Sequence, residues 1–429
     1  MSETNGFKLS SASLRAYVMI AVLALIWLFF HYATSASTPE YTHVGDNIWN
    51  FVGGIVGGMR NATKYLFSFF DGNEPQYYTT WLTEGVFLRP RNLSNLMTQM
   101  SVTGILAVGM LMVIVSGNID LSVGSVLGLA GGVTAYCLTV KELDLAPSLV
   151  LAILVGLAIG VFHGALTTYA NIPAFIVTLG GLLAWRGATK WLLGGNTIPI
   201  SQDSFKAIGQ SNLSLTAGWV IAAVAVLFVL FAAYRKANAA KEYGLGEVNY
   251  GPALIGAIVP IGAIVGFIWI MNSYQGVPIP VLILVVVALI GVFLTNSTVF
   301  GRYLYAIGGN ADAARLSGID DKRNILKVFA LLGALTGVAA LIFTARVGSA
   351  TPDAGTLKEL DAIAACVIGG ASLVGGRGTV FGACLGALIM ASLDNGMSLM
   401  NVRDFMQDII KGAILVAAVG LDMAGRKQS

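Results

Sequence analysis

Residues 98–140 read TQMSVTGILAVGMLMVIVSGNIDLSVGSVLGLAGGVTAYCLTV, and this stretch decides the fold class. Two apolar runs, 98–116 and 121–140, flank a short polar break, Gly117-Asn118-Ile119-Asp120. Each run has about the 20 residues that an α-helix needs to cross a bilayer core. The pattern recurs outward from this pair. Segments 17–33, 146–169, 172–194, 217–234, 250–271, 278–296, 328–345, 361–375, 379–394 and 407–422 have the same character. The expected architecture is therefore all-α, a polytopic transmembrane bundle of about ten to twelve membrane segments. Several pieces, 361–375 above all, are short and glycine-rich enough to be half-helices or re-entrant turns.

Composition excludes the alternatives. The chain is 56% hydrophobic and only 11% charged, with mean hydropathy +0.78. Soluble domains are about one quarter charged, and a soluble fold has nowhere to hide so much apolar surface. Fifty-two glycines fit helices that approach one another closely. A net charge of +3 with no basic cluster interleaved with aromatics gives no nucleic-acid footprint. Cys137, Cys366 and Cys384 lie in apolar runs without metal-ligand spacing and read as packing residues. The apolar run 17–32 lacks a small-residue cleavage site after it, so it reads as a retained anchor.

Lysine and arginine set the orientation. Lys8 and Arg15 precede the first segment; Arg235, Lys236 and Lys241 crowd one later loop. Arg302, Arg315, Lys322, Arg323 and Lys327 crowd another, and Arg426 and Lys427 close the chain. Placing all four groups in the cytoplasm threads the segments consistently, with both termini inside. Trp191 and Trp219 then flank the outer loop 195–216 as interfacial anchors. The organisation is two-part: 1–96 holds the anchor and a periplasmic or interfacial insert, and 97–429 is the transmembrane core with a cytoplasmic loop at 302–327. Within the insert, the apolar stretch 48–59 is too short to span, and Arg60, Asn61 and Lys64 follow it. It reads as an interfacial helix, more as spacer than as site.

Small-xxx-small spacing appears as Gly124, Gly128 and Gly132; Gly156, Gly160 and Gly164; Gly333 and Gly337; Gly382 and Gly386. Residues 105–128 also echo 363–386, with Gly117, Gly124 and Gly128 falling on Gly375, Gly382 and Gly386. A two-half pseudo-repeat and chance in a glycine-rich chain explain this about equally well.

The strongest local motif lies in the largest basic loop: Tyr305-Ala-Ile-Gly-Gly-Asn310-Ala-Asp312-Ala-Ala-Arg315-Leu-Ser-Gly318-Ile319. Asn310 is a good N-cap, Asp312 favours a first helical turn, and Gly318 can end the helix in the left-handed conformation. A short helix over 311–317 follows, either a connector or a rigid knob offered to a soluble partner.

This motif resembles the Glu-Ala-Ala…Gly loop of permease subunits in binding-protein-dependent ABC importers, with Asp312, Ala313, Ala314 and Gly318 at the matching positions. Two further stretches are similar to the ribose/xylose/galactose branch of that family. One runs from Gly117 through Asp120 and Ser122 to Ser125; the other runs from Leu360 and Asp361 through Gly369-Gly370 to Gly378. Ala391-Ser-Leu-Asp394-Asn395 and Gly276-Val-Pro278-Ile-Pro280 look most like the D-xylose members. The likeness covers the chain from about residue 85 onward and the first segment. Asp312 stands where the family usually has Glu, and the 36–95 insert is longer than the family pattern. The resemblance implies a monosaccharide permease of the bacterial inner membrane, a non-catalytic subunit without a cofactor. It implies separate ABC ATPase subunits as partners, docked at a coupling helix formed by Asn310, Asp312, Ala313, Ala314, Arg315 and Gly318. It further implies a periplasmic sugar-binding protein and a second permease copy, giving a homodimer. The outer loop with Arg346, Asp353, Lys358 and Glu359 would meet the binding protein.

Polar residues within the spans are the candidates for a translocation path: Asn118, Asp120, Ser122, Ser125, Trp185, Asp361, Asp394 and Asn395. Each has a plainer reading. Asp120 can cap the helix that follows through the amides of Ser122 and Val123, and this is favoured over a path role. Asp361, Asp394 and Asn395 could line the outer mouth or solvate helix ends. Trp185 could stack on a sugar ring, but core packing is commoner, and Arg186 beside it must snorkel or pair. His31, His43 and His163 are scattered, in no base–nucleophile or metal arrangement. No Gly-x-x-x-x-Gly-Lys-Ser/Thr loop occurs to hold ATP, so enzyme activity is not expected. The competing reading is an ion-coupled secondary sugar transporter, which requires paired intramembrane acids; only Asp120 and Asp394 offer themselves, and nothing in the sequence pairs them.

Overall fold

The computed structural model describes residues 11–34, 85–242 and 250–426. The expected interfacial helix at 48–59 lies outside them. Among the described residues the chain is helical almost throughout. The helices are α1 (Ser11–Ala33), α2 (Pro90–Val115), α3 (Val123–Ala135, continued by a π-turn Tyr136–Val140), α4 (Leu145–Thr168), α5 (Ala174–Leu192) and α6 (Asp203–Gln210). They continue as α7 (Leu215–Glu242), α8 (Tyr250–Asn272), α9 (Ile279–Ser297), α10 (Val299–Gly309), α11 (Ala311–Leu316) and α12 (Asp321–Val347). The last three are α13 (Lys358–Ile368), α14 (Val380–Leu399) and α15 (Asp404–Arg426). Two short strands, β1 (Ile198–Pro199) and β2 (Ser349–Ala350), pair antiparallel and tie two loops together at one end of the bundle.

Among the described residues, nine helices have the length and apolar composition to cross a membrane. Two more, α5 and α15, have the length, but charges lower their apolar character: Arg186 and Lys190 on α5, and Asp404, Asp408 and Lys411 on α15. The glycine-rich segment 361–375 takes the half-helix form that its length allowed, not a full span. Its helix, α13, has 11 residues, and a turn-rich break from Gly369 to Thr379 follows. At 1.5 Å per residue it covers about half of a bilayer core. The basic loop at 302–327 is likewise mostly helix, because α10, α11 and the start of α12 fill it.

The centre of the bundle is α2. Pro90 starts it without losing a needed donor, and apolar residues then cover every face. Ile105, Leu106, Ala107, Val108, Met110, Leu111, Val113 and Ile114 are wholly buried. A helix apolar all round belongs inside other helices, and α9, α12, α13 and α14 surround this one. The tightest pair is α4 with α12. Gly156 and Gly160 on one meet Gly333 and Phe329 on the other, so that a Cβ on Gly156 would collide with the Gly333 carbonyl. Two glycine stripes seen in the sequence thus pack against each other, and the backbones touch because no side chain intervenes.

Candidate functional site

The knob forms as its residues dictate. Asn310 adopts extended backbone and its Oδ1 accepts from the Ala313 amide at 3.0 Å. Gly318 has φ +79, and Ile319 N–H donates back to the Ala314 carbonyl at 3.1 Å. Ala314 is buried beneath the helix. Arg315 donates through Nε to Asp321 Oδ2 at 2.7 Å and lies 3.5 Å from Asp312 through Nη1. The pair bolts α11 to the start of α12. Leu316 is 91% exposed, an isolated large apolar side chain at the tip. It sits in the quoted motif, but nothing in a one-dimensional pattern marks it as uncovered.

Beneath the knob three backbones converge. Gly308 packs directly on the Val115 carbonyl, the same oxygen that accepts from Gly376 N at 2.9 Å. Gly117 (φ +80) and Gly375 (φ +99) are both left-handed, and a Cβ on Gly375 would stand 3.1 Å from the Gly117 Cα. Only glycine takes this backbone and this proximity without strain. Tyr305 OH donates to the Gly378 carbonyl at 2.7 Å. The break between α2 and α3 and the break between α13 and α14 therefore meet at the foot of the knob. Gly117 and Gly375 are one of the pairs that the internal echo superposes, and each lies in a break between two helices.

Asp120 is buried in the first break. Its Oδ1 accepts from Ser122 N at 2.7 Å and from Ser122 Oγ at 2.6 Å. The helix begins later than the sequence suggests, at Val123, so Asp120 closes a turn ahead of the helix and does not bond the Val123 amide. Ser122 Oγ also lies 3.3 Å from His163 Nδ1, while Trp185 Nε1 donates to His163 Nε2 at 3.0 Å. An indole can only donate, so Nε2 is the acceptor and the neutral ring carries its proton on Nδ1. The result is a directed chain, Trp185 to His163 to Ser122 to Asp120, that joins α5, α4 and the break. His163 is not isolated, as its sequence position suggests; helix packing completes its surroundings. Asn118 donates to Ser116 O at 3.2 Å, and Ser125 Oγ donates to Leu182 O at 2.8 Å.

The second charged centre lies towards the other end. Asp361, also buried, holds Lys358 Nζ at 2.6 Å and Lys411 Nζ at 3.5 Å. Lys411 reaches on to Asp394 Oδ1 at 2.8 Å. The two aspartates therefore share a lysine from α15, a pairing absent from sequence adjacency. Asn395 exchanges two hydrogen bonds with Asn92, at 2.8 and 3.1 Å, which clasps α14 to α2. The loop group Arg346, Asp353, Lys358 and Glu359 is not one surface. Asp353 pairs with Lys190 at 3.3 Å, and Lys358 and Glu359 form the first turn of α13, where Glu359 is buried. Arg346 instead lines an open cavity of about 760 Å3 with Arg89, Arg91, Asn95, Gln210 and Tyr274. Spread over four helices and three loops, this polar basin has no sequence motif.

Comparison with known proteins agrees with this architecture. A family model described as branched-chain amino acid transport system / permease component matches residues 92–419. The xylose transport system permease protein of Escherichia coli K12 is 46% identical over 356 residues, covering 82% of this chain and 90% of that protein. Its counterpart in Haemophilus influenzae is 40% identical over 426 residues, covering 98% and 100%. The ribose import permease protein of Escherichia coli K12 is 35% identical over 336 residues, covering 78% and 87%. No solved structure matches the chain. The helical bundle, its two broken helix pairs and these relatives together place the chain in the transport-system permease component family.

Proposed function

We propose that this chain is the membrane permease of an ATP-driven monosaccharide importer, with D-xylose as its solute. It resides in the bacterial inner membrane with both termini in the cytoplasm, and ATP is hydrolysed by separate ABC ATPase subunits. The knob from Asn310 to Gly318 is the observation that carries this reading. It is a capped, ion-paired helix bearing an uncovered Leu316, and its foot rests on both helix breaks. A push on Asn310, Asp312, Ala313, Ala314 or Arg315 reaches those breaks through backbone contacts, with few soft side chains to absorb it. The identity and coverage of the xylose relatives support the solute.

A sugar-binding protein delivers the sugar to the opposite face, where the polar basin with Arg89, Arg91 and Arg346 suits acidic side chains of a partner. Two permease copies form the path. Asp361 and Asp394 line it, while Asn118, Asp120, Ser122, Ser125, Trp185 and Asn395 hold its walls through the hydrogen bonds described above. The chain divides into an anchor with its insert, 1–96, and a permease core, 97–429.

The test is uptake of labelled D-xylose into proteoliposomes containing the chain, its ATPase and its binding protein. Uptake is expected to require ATP and to survive excess ribose. Deleting 311–317 is expected to abolish it while the chain still inserts. Uptake by the chain alone under a proton or sodium gradient would overturn the reading, as would undiminished uptake after the deletion.

A further inference from the structure

The chain from Trp185 to Asp120 is polar from end to end inside an apolar bundle, and nothing in the coupling knob requires it. His163 is 1% exposed and Asp120 4%. The ring is engaged at both nitrogens, Nε2 by the Trp185 indole at 3.0 Å and Nδ1 by Ser122 Oγ at 3.3 Å. Gly181 on α5 leaves space for this, since a Cβ there would stand 2.6 Å from His163 Nε2 and 3.1 Å from Trp185 Nε1. Asp120 bonds Ser122 through Oδ1 alone, and its Oδ2 lies 3.9 Å from His163 Nδ1. A cavity of about 10 Å3 lies between Asp120, Ser122, His163 and Thr336, which leaves the carboxylate room to turn.

A proton on the ring rearranges these bonds. The neutral ring accepts from the indole and donates to Ser122, whereas an imidazolium donates from both nitrogens and accepts at neither. Trp185 then faces a second N–H and loses its acceptor, while Nδ1–H gains a charged acceptor in Asp120 Oδ2. Opposite charges attract far more strongly away from water than at a surface. One proton thus shifts the hold on α4 from α5 to the break between α2 and α3. Other charges do not set this balance. α3 and α4 carry none besides His163, and α12 presents Leu332, Gly333 and Thr336. Arg186 and Lys190 on α5 form no hydrogen bond with the ring. The ring sits about a turn and a half before Thr168, the end of α4 that the permease reading places in the cytoplasm.

Resting on the permease reading, we infer that His163 is the positioning residue of the first break and a proton-operated latch on it. With the ring neutral, the break follows the knob. With the ring charged, the break is tied to α4 and transport slows. Cytoplasmic acid is the signal that the latch reads.

Trp185 reports the latch directly, because an imidazolium beside an indole quenches its emission. The Trp185 share of the fluorescence is the difference between the parent chain and Trp185→Phe in detergent. It is expected to fall by about half or more between about pH 7.5 and about pH 5.5, where imidazoles ordinarily titrate. In His163→Gln, measured against its own Trp185→Phe partner, the fall is expected to vanish. No fall in the parent, or one that persists in His163→Gln, overturns the latch. Asp120→Asn decides the point if His163→Gln does not insert: without the charged acceptor the fall is expected to shrink at least about twofold, and an unchanged fall overturns the latch. Emission is read without transport, so failure of the complete complex to carry xylose counts against the permease reading alone. In proteoliposomes of the complete complex, the ATPase face is brought from about pH 7.5 to about pH 5.5 while the opposite face stays at about pH 7.5. The resulting loss of D-xylose uptake is expected to be at least about threefold larger in the parent than in His163→Gln, a comparison in which the pH response of the ATPase cancels. Quenching with equal losses in the two chains overturns the latch.

Discussion

Asp120 and Asp361 are both buried carboxylates in breaks or short helices of an apolar bundle, yet the protein accommodates them differently. Asp120 is satisfied within two residues, by the amide and hydroxyl of Ser122, and beyond that by neutral groups, His163 and Trp185. Asp361 is satisfied by two lysines, one from its own helix and one from α15. The first arrangement is a turn that any extended-then-helical chain could close. The second exists only after three helices have packed, and it leaves a charge exposed to low dielectric whenever one partner is removed. The difference teaches where the bundle is vulnerable. Neutral local bonding is forgiving, whereas shared charge between helices is not.

The comparison can be broken at its charged side first. Asp361→Ala strands Lys358 and weakens the hold on Lys411, and is expected to destabilise by about 3–5 kcal/mol. The chain would then fail to elute as a single species from detergent after mild heating; a parent-like melting profile would refute the shared-charge assignment. Lys411→Met is expected to cost less, about 2–4 kcal/mol, since Lys358 still serves Asp361. Adding Asp394→Asn should recover part of that loss, and a double-mutant cycle with zero coupling would show that the 2.8 Å pair contributes nothing.

On the neutral side, Ser122→Ala removes the hydroxyl between Asp120 and His163 but leaves the backbone amide. A loss of about 1–3 kcal/mol is expected in thermal unfolding. Trp185→Phe deletes the terminal donor and leaves His163 Nε2 unfilled, for about 1 kcal/mol. Amide exchange in 116–135 should quicken only modestly. If Trp185→Phe proved as damaging as Asp361→Ala, the contrast between the two centres would be lost.

Some of the site was legible before any packing was known. Asn310 and Gly318 announce a short helix because capping and termination are decided by residues within one turn of each other. The stripes of Gly156, Gly160, Gly333 and Gly337 announce close crossings, although not which stripe meets which. His163 went unrecognised because its partners come from residues 41 and 22 positions away, on a break and on another helix. Lys358 and Glu359 read as loop residues because the start of α13 is strongly charged, and only burial shows that the turn lies inside the bundle.

By itself the sequence determined what depends on transfer energy and local geometry: a membrane bundle, its long apolar segments, the capped knob, and the turns that need glycine. Tertiary structure alone decided where the half-helix that 361–375 allowed begins and stops, that both breaks meet under Gly308, and that Lys411 joins two aspartates. Those outcomes depend on which helix faces meet, and hydropathy carries no information about azimuth around a helix apolar on every side.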